Sequence, residues 1–313
     1  IVADIGIPPD ESQDIKLTLL TQKLVQSQFP VRSPQGHKGT FGHALVIGGS
    51  TTYPGAAYLA TQAALRTGTG LVTLASPEKI YPILASKLTE AIHQPLPDDE
   101  SGGLTVESAA IIKEQLSNYD SVAVGCGMGW SVSGKNFIEE LCLDNPDFHQ
   151  PLVIDADGLN NLSTINDWWH RLSESVVLTP HPGEMARLTN IPVNEIQSDR
   201  IRFVQHWARE WRKVIVLKGA NTVIADHMGN AWVNPISNPI LATGGTGDVL
   251  TGMIAGLMAQ GLPIVHAACC AVFAHAMCST ILSETMGDRG ALASDLVESL
   301  PITFRQIIKS SSW

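Results

Sequence analysis

A chain that repeatedly sets a short, unbroken, β-branched run against a helical stretch has few folds open to it. Such runs occupy residues 44–47, 71–75, 121–124, 152–154, 176–178 and 214–217. They are continuous rather than alternating, so both faces of each strand must be covered, as in a parallel sheet between two helical layers. Helical candidates at 56–66, 106–116 and 193–211 lie between the runs. Strands alternating with helices imply βαβ units and an α/β fold: a central, mostly parallel sheet with helices on both faces. Residues 222–226 and 231–233, around Met228-Gly229, read as a β-hairpin on that sheet, and the chain beyond Gly247 as helical to its end. Residues 10–36 are polar, broken by Pro30 and Pro34, and read as a linker with a short helix near 17–26.

The 313 residues are 44% hydrophobic and 16% charged, which suits a large core and leaves no disordered charged block. The net charge of -10 argues against nucleic acid as a partner, because counterion release needs clustered Lys and Arg. Five cysteines (Cys126, Cys142, Cys269, Cys270, Cys278) show no CxxC pair and read as reduced, buried thiols of a cytoplasmic protein. Ten scattered histidines offer no metal site. The most apolar region, 249–282, is interrupted by glycines, a proline and two histidines, and reads as core helices, not a membrane span.

The most telling segment is Asn238-Pro239-Ile240-Leu241-Ala242-Thr243-Gly244-Gly245-Thr246-Gly247-Asp248-Val249-Leu250-Thr251-Gly252. Its glycines open an apolar helix, and an N-terminus of that kind favours a phosphate or a developing anion. Asp248 is out of place there unless it caps the helix or takes a proton from a hydroxyl beside the phosphate. Ligands of open parallel sheets bind beyond the carboxyl ends of the strands, and the other unusual residues fall at those ends. Gly48-Gly49-Ser50 and then Gly55-Ala56-Ala57 follow the first run, Gly125-Cys126-Gly127-Met128-Gly129 the third, and Asp155-Ala156-Asp157-Gly158-Leu159-Asn160 the fourth. Thr179-Pro180-His181-Pro182-Gly183-Glu184 follows the fifth and Lys218-Gly219-Ala220-Asn221-Thr222 the sixth. Asp155 and Asp157 suit helix caps, and Glu184 suits a first-turn carboxylate that complements the helix dipole. His181, held between prolines, is constrained well for contact with a ligand. Lys218 directly after a buried strand calls for an anion, such as a nucleotide phosphate.

Taken in order, these motifs resemble one family. The set is His37-Lys38-Gly39-Thr40-Phe41-Gly42-His43, the Gly48 and Gly55 turns, the Asp155, Thr179 and Lys218 motifs, residues 238–252, and Gly290-Ala291-Leu292-Ala293-Ser294-Asp295-Leu296. Together they are similar to the ADP/ATP-dependent NAD(P)H-hydrate dehydratases of the ribokinase-like superfamily, over residues 36–302. The resemblance implies a ribokinase-like fold and a metabolite-repair reaction. In it the S form of NADHX or NADPHX is dehydrated to NAD(P)H at the expense of ADP or ATP. It further implies catalysis by Asp248 with the amides of Gly245, Thr246 and Gly247. The hydrate would be held by Gly55, Ala57, Gly127, His181 and Asp248, and the nucleotide by Lys218, Gly219, Ala220, Asn221, Thr222 and Gly247. Magnesium is expected on the polyphosphate without a protein cage, and a homo-tetramer is suggested. Asp4-Ile5-Gly6-Ile7-Pro8 looks like the tail of an NAD(P)H-hydrate epimerase domain. Residues 1–35 are therefore expected to be its remnant plus linker, with the dehydratase domain at 36–313 and the epimerase covalently fused in the full-length protein. A ribokinase-like kinase of a vitamin precursor would share the Gly-Gly-Thr-Gly-Asp turn but release a phosphorylated product. A non-catalytic nucleotide sensor would have no use for Asp248.

Overall fold

Side chains alternate across each strand, which is why the runs are unbroken. Ala44 and Val46 enter one hydrophobic layer while Leu45 and Ile47 enter the other, and Val214 and Val216 part from Ile215 and Leu217 in the same way. The structure, a computed structural model, describes residues 15–309. Ten strands form one sheet: β1 (Leu17–Leu19), β2 (His43–Ile47), β3 (Leu71–Pro77), β4 (Ile92–Leu96), β5 (Ser121–Val124), β6 (Leu152–Ile154), β7 (Val176–Leu178), β8 (Val214–Leu217), β9 (Val223–Ala225) and β10 (Ala231–Val233). Their spatial order is β1-β10-β9-β8-β7-β6-β5-β2-β3-β4. Among them β9 alone runs against its neighbours β8 and β10; every other pairing is parallel. The expected α/β architecture is therefore present, with helices over both faces.

Several elements differ from the sequence reading. The segment read as a linker with a short helix near 17–26 does hold a helix, shifted to Gln22–Gln28 and capped by Thr21, but its start is β1, which pairs with β10. Leu20 and Val25 are fully buried; with so few core-facing positions, the polar remainder conceals the element. Asp4 to Pro8 lie outside the described residues. The helix expected at 106–116 stops at Lys113. That expected at 193–211 is two, Val193–Ser198 and Arg200–Trp211, broken at Asp199, which leaves helical geometry and accepts the Arg202 N–H. Past Gly247 the chain forms Thr246–Ala259, Ile264–Met286 and Ala293–Lys309. Ile264–Met286 has the length and apolarity of a membrane-crossing helix, but 67% of its apolar window is buried inside the fold. All five cysteines are buried, and burial pushes the Cys142 and Cys270 thiols up to about 12.

The sheet reverses its winding between β2 and β5, because β3 and β4 lie to one side of β2 and β5 onward to the other. A crevice opens beyond the carboxyl ends of strands at such a point. Here the Gly49 N–H donates to the Cys126 carbonyl and the Gly125 N–H to that of Ile47, joining the two rims. The helices Pro54–Arg66 and Thr246–Ala259 lie against each other in the layer on one face. A Cβ at Gly252 would stand 1.9 Å from the Ala60 carbonyl oxygen, and one at Gly256 2.1 Å from Thr67 Oγ1. The two helices approach so closely only because those positions lack side chains, and that approach sets their N-terminal turns side by side. Gly252→Ala is expected to destabilise the fold by about 3 kcal/mol through overpacking, read as a lower midpoint in urea unfolding; an unchanged midpoint would show that the backbones can part without cost.

Candidate active site

The helix Thr246–Ala259 begins at Gly245, whose φ of 91° is open to glycine and strained for other residues. A Cβ there would also meet Leu59 Cδ1 at 2.6 Å. The turn is pinned from several directions. Thr246 Oγ1 lies 2.9 Å from the carbonyls of both Leu241 and Thr243, and the His275 Nε2–H donates to the Thr246 carbonyl at 2.9 Å. Burial holds His275 well below its ordinary pKa, at about 4, so the ring is neutral and its proton sits on Nε2. No side chain caps this helix, so the capping role for Asp248 falls away; of its first amides, that of Thr246 donates to the Thr243 carbonyl at 3.4 Å. Asp248 instead lies beside the Cys126 thiol, which favours its ionised form. Burial, and then the nearby Asp155 charge, push its carboxyl up to about 6.

Asp155, just after β6, also does something other than cap. Its side chain makes no capping bond; Oδ1 accepts from Lys218 Nζ at 2.6 Å and Oδ2 from Thr251 Oγ1 at 2.6 Å. Lys218 Nζ lies 3.8 Å from Glu184 Oε2 as well. Burial works against the Lys218 charge, but Asp155 and Glu184 outweigh it and its pKa is raised. Glu184 does join the first helical turn as expected. It accepts the His181 N–H at 2.8 Å while His181 Nδ1 accepts from the amides of Gly183 and Glu184, a reciprocal capping box. Burial pushes the Glu184 carboxyl up, with Lys218 pulling the other way. The His181 pKa is lowered by burial, then by Lys218 and Arg187.

Asp157 accepts the Gly129 N–H at 3.0 Å, and Asn161 Nδ2 donates to the Gly129 carbonyl at 2.9 Å. These two residues hold the loop that carries Gly127. A Cβ at Gly127 would stand 2.7 Å from the Tyr53 carbonyl oxygen and 2.8 Å from Ala56 Cβ, so Gly127 abuts the start of the helix that bears Gly55 and Ala57. Gly55 is exposed there with open space over it, whereas Ala57 is fully buried beneath Gly49.

A cavity of about 410 Å³ adjoins the Gly245 turn on the other side, between the β8–β9 loop and the start of Thr246–Ala259. Lys218, Gly219, Ala220, Thr222, Thr246 and Gly247 line it; Leu241, Leu250, Val272 and Ala276 make its apolar wall, and Asn234, Ser237 and Asn238 a polar edge. Of the expected nucleotide residues, Asn221 stands apart. It occupies the left-handed region and donates to the carbonyls of Asn234 and Pro235, bracing the loop without lining the cavity. Arg200 escaped the sequence reading: its Nη2 donates to the carbonyl oxygens of Leu217, at 2.9 Å, and Lys218, at 3.3 Å, fixing the loop from beneath. His275 escaped it too, since it lies mid-helix with no local motif to mark it, and Thr251, though inside the 238–252 segment, was given no role of its own. Among the described residues no cluster of three or more His, Cys, Asp or Glu is arranged to hold a metal ion.

The sequence profile of a family described as NAD(P)H-hydrate dehydratase matches residues 44–302. The bifunctional NAD(P)H-hydrate repair enzyme of Moorella thermoacetica is 41% identical over 308 residues, covering 98% of this chain and 58% of the relative. The chain thus spans a little over half the length of that relative. A crystal structure of the ADP/ATP-dependent NAD(P)H-hydrate dehydratase of Bacillus subtilis, co-crystallised with ATP/Mg2+, is 32% identical with a TM-score of 0.76, covering 93% of this chain and 98% of that one. A ribokinase-like superfamily protein of Enterococcus faecalis superposes with a TM-score of 0.80 at 26% identity, covering 93% and 96%.

Removing one partner of a buried ion pair leaves the other charge uncompensated. Asp155→Ala is therefore expected to lower stability by about 3 kcal/mol in urea unfolding. A loss near zero would show that Glu184 alone can hold the Lys218 charge.

Proposed function

This chain belongs to the NAD(P)H-hydrate dehydratase family, with a ribokinase-like fold, and from that premise we propose that it dehydrates the S form of NADHX or NADPHX to NADH or NADPH at the expense of ADP or ATP. One observation carries the reading. A carboxylate unused for capping, with its pKa raised to about 6, stands in the first turn of a helix whose N-terminus, uncapped by any side chain, separates a nucleotide-sized cavity from the Gly127 loop.

The chemistry follows from that placement. Asp248, ionised near neutral pH, accepts the proton of the hydrate's ring hydroxyl as the oxygen attacks the terminal phosphorus of the nucleotide. The anhydride P–O bond breaks, and AMP leaves from ADP, or ADP from ATP. The amides of Gly245, Thr246 and Gly247 meet the charge that builds on the transferring phosphoryl oxygens, where preorganised donors count most. Phosphate then departs from the ring carbon, pushed by the lone pair of the ring nitrogen, and loss of a proton from the adjacent carbon restores the reduced nicotinamide. Lys218, Gly219, Ala220 and Thr222 hold the nucleotide, with Asn221 keeping their loop in shape; Gly55, Gly127 and His181 hold the hydrate. Magnesium fits only as a companion of the phosphates, since Asp155 and Glu184 are taken up by Lys218; it would neutralise polyphosphate charge. An epimerase that supplies the S hydrate, joined to the same polypeptide, is part of this proposal.

The test is incubation with NADHX or NADPHX and either nucleotide, following the absorbance of the reduced nicotinamide and the release of phosphate. Recovery of that absorbance with stoichiometric phosphate is expected; a stable phosphorylated product would make the protein a kinase instead. Asp248→Asn should lower kcat by about a thousandfold, a typical general-base contribution, with nucleotide binding retained. Because the base must be ionised and its pKa is raised, kcat should fall as pH drops through about 6; a profile flat from pH 7 to 5 would remove Asp248 from the proton transfer.

A further inference from the structure

Outside the residues assigned above, one pair of side chains at the mouth of the crevice has no structural task equal to its chemistry. Trp130 follows Gly129 and is 57% exposed, an unusual place for the largest side chain. The Arg187 guanidinium lies over its ring, 5.5 Å from the centroid, within cation–π range. Arg187 is exposed and, among the described residues, makes no ion pair; its Nη1 donates to Asn160 Oδ1 at 3.0 Å. Asn160 in turn donates to Asp157 Oδ1 at 3.3 Å, and the other oxygen of Asp157 holds the Gly129 amide. The guanidinium is therefore aimed, through Asn160, by Asp157, one of the two residues that hold the Gly127 loop, and most of its donors stay free.

Its position along the helix matters as much. The helix Pro182–Thr189 starts at the active site, where His181 and Glu184 meet Lys218. Arg187 sits three residues beyond Glu184, one turn outward on the same face, and its charge reaches the His181 ring. A ligand whose reacting ring lies at Asp248 and whose remainder leaves through the mouth passes first the neutral His181 and then Arg187 and Trp130. On the opposite flank Tyr53, 56% exposed, borders Gly127. The hydrate of a pyridine dinucleotide has just that layout, with a ring at one end and phosphates some bonds away.

Resting on the function proposed above, we infer that Arg187 and Trp130 form a binding site for a phosphate of the hydrate, Arg187 clamping its oxygens through the guanidinium fork while Trp130 presents a flat apolar face to the adjoining nucleoside. Lys218 does not serve this end of the ligand, because it lies with Asp155 and Glu184 at the inner end of the helix and lines the cavity assigned to the nucleotide. Two phosphates could be the target: the bridging diphosphate present in both hydrates, or the 2′-phosphate present only in NADPHX.

The experiment compares Arg187→Gln and Trp130→Ala with the wild type in steady-state kinetics with NADHX, NADPHX and the nucleotide, and in calorimetric titration with each hydrate alone. Loss of a charge-assisted contact in Arg187→Gln should raise KM for the hydrate about tenfold, with kcat within about twofold and the nucleotide KM unchanged. A rise for both hydrates identifies the bridging diphosphate; a rise for NADPHX alone identifies the 2′-phosphate. Trp130→Ala should raise both hydrate KM values, and Arg187→Lys should recover only part of the loss, because an ammonium lacks the planar fork. Unchanged hydrate KM values, or a fall in kcat and thermal stability at constant KM, would overturn the inference and leave the pair a surface contact. A wild type that binds hydrate without turning it over would defeat the proposed function alone, and the titrations would still decide the role of Arg187.

Discussion

The Asp155–Lys218 contact ties together pieces of chain that have no other reason to meet. Asp155 ends β6, Lys218 ends β8, and Thr251, which donates to the same carboxylate, sits one turn inside the helix that carries Asp248. A lysine and a carboxylate taken out of water are tolerable only as partners, so the pair sets the register of the helix that carries Asp248 against the sheet. It also acts on the chemistry. The Asp155 charge is one of the influences that lift the Asp248 carboxyl toward neutrality, and Lys218 one of those that restrain it.

Charge at the site is arranged locally, against the trend of a protein whose net charge is -10. The fixed cation beside the cavity, Lys218, is largely balanced by Asp155 and Glu184, which in the proposed function leaves main-chain amides to carry the burden of anion recognition. Amides suit it because they cannot titrate and need not reorganise during the reaction. His275, held neutral by burial, fits the same design: it orders the turn without adding a charge that would vary with pH.

How much of this was legible depends on where each residue gets its instructions. Runs such as 152–154 and 214–217 announce themselves because both faces are buried, and the structure reproduces their ends. The edge strands β1 and β4 did not. β1 is exposed along its length, and β4 carries Pro95 and one fully buried residue, Leu96; edge strands have little core to advertise and can admit a proline. The helix break at Asp199 needs only one residue to leave helical geometry, which periodicity does not register. At the site, Lys218 and Asp248 were conspicuous as charges at strand and helix ends. Asp155 was visible but given the wrong task, since a carboxylate before a helix looks the same whether it caps or pairs with a distant lysine. Arg200, Thr251 and His275 were silent because their partners come from remote parts of the chain.

The reversed strand β9 has its own significance. By turning back after Lys218, the chain makes a hairpin whose far side, through Asn234 and Ile236, becomes one wall of the 410 Å³ cavity, while Asp248 arrives on a separate helix. If the proposed roles hold, donor choice and bond-making chemistry are written in different stretches of polypeptide. In the function proposed here, a substitution along the hairpin would alter the cavity wall without moving the helix that carries Asp248, so the choice of phosphoryl donor could drift while the step it drives stays the same.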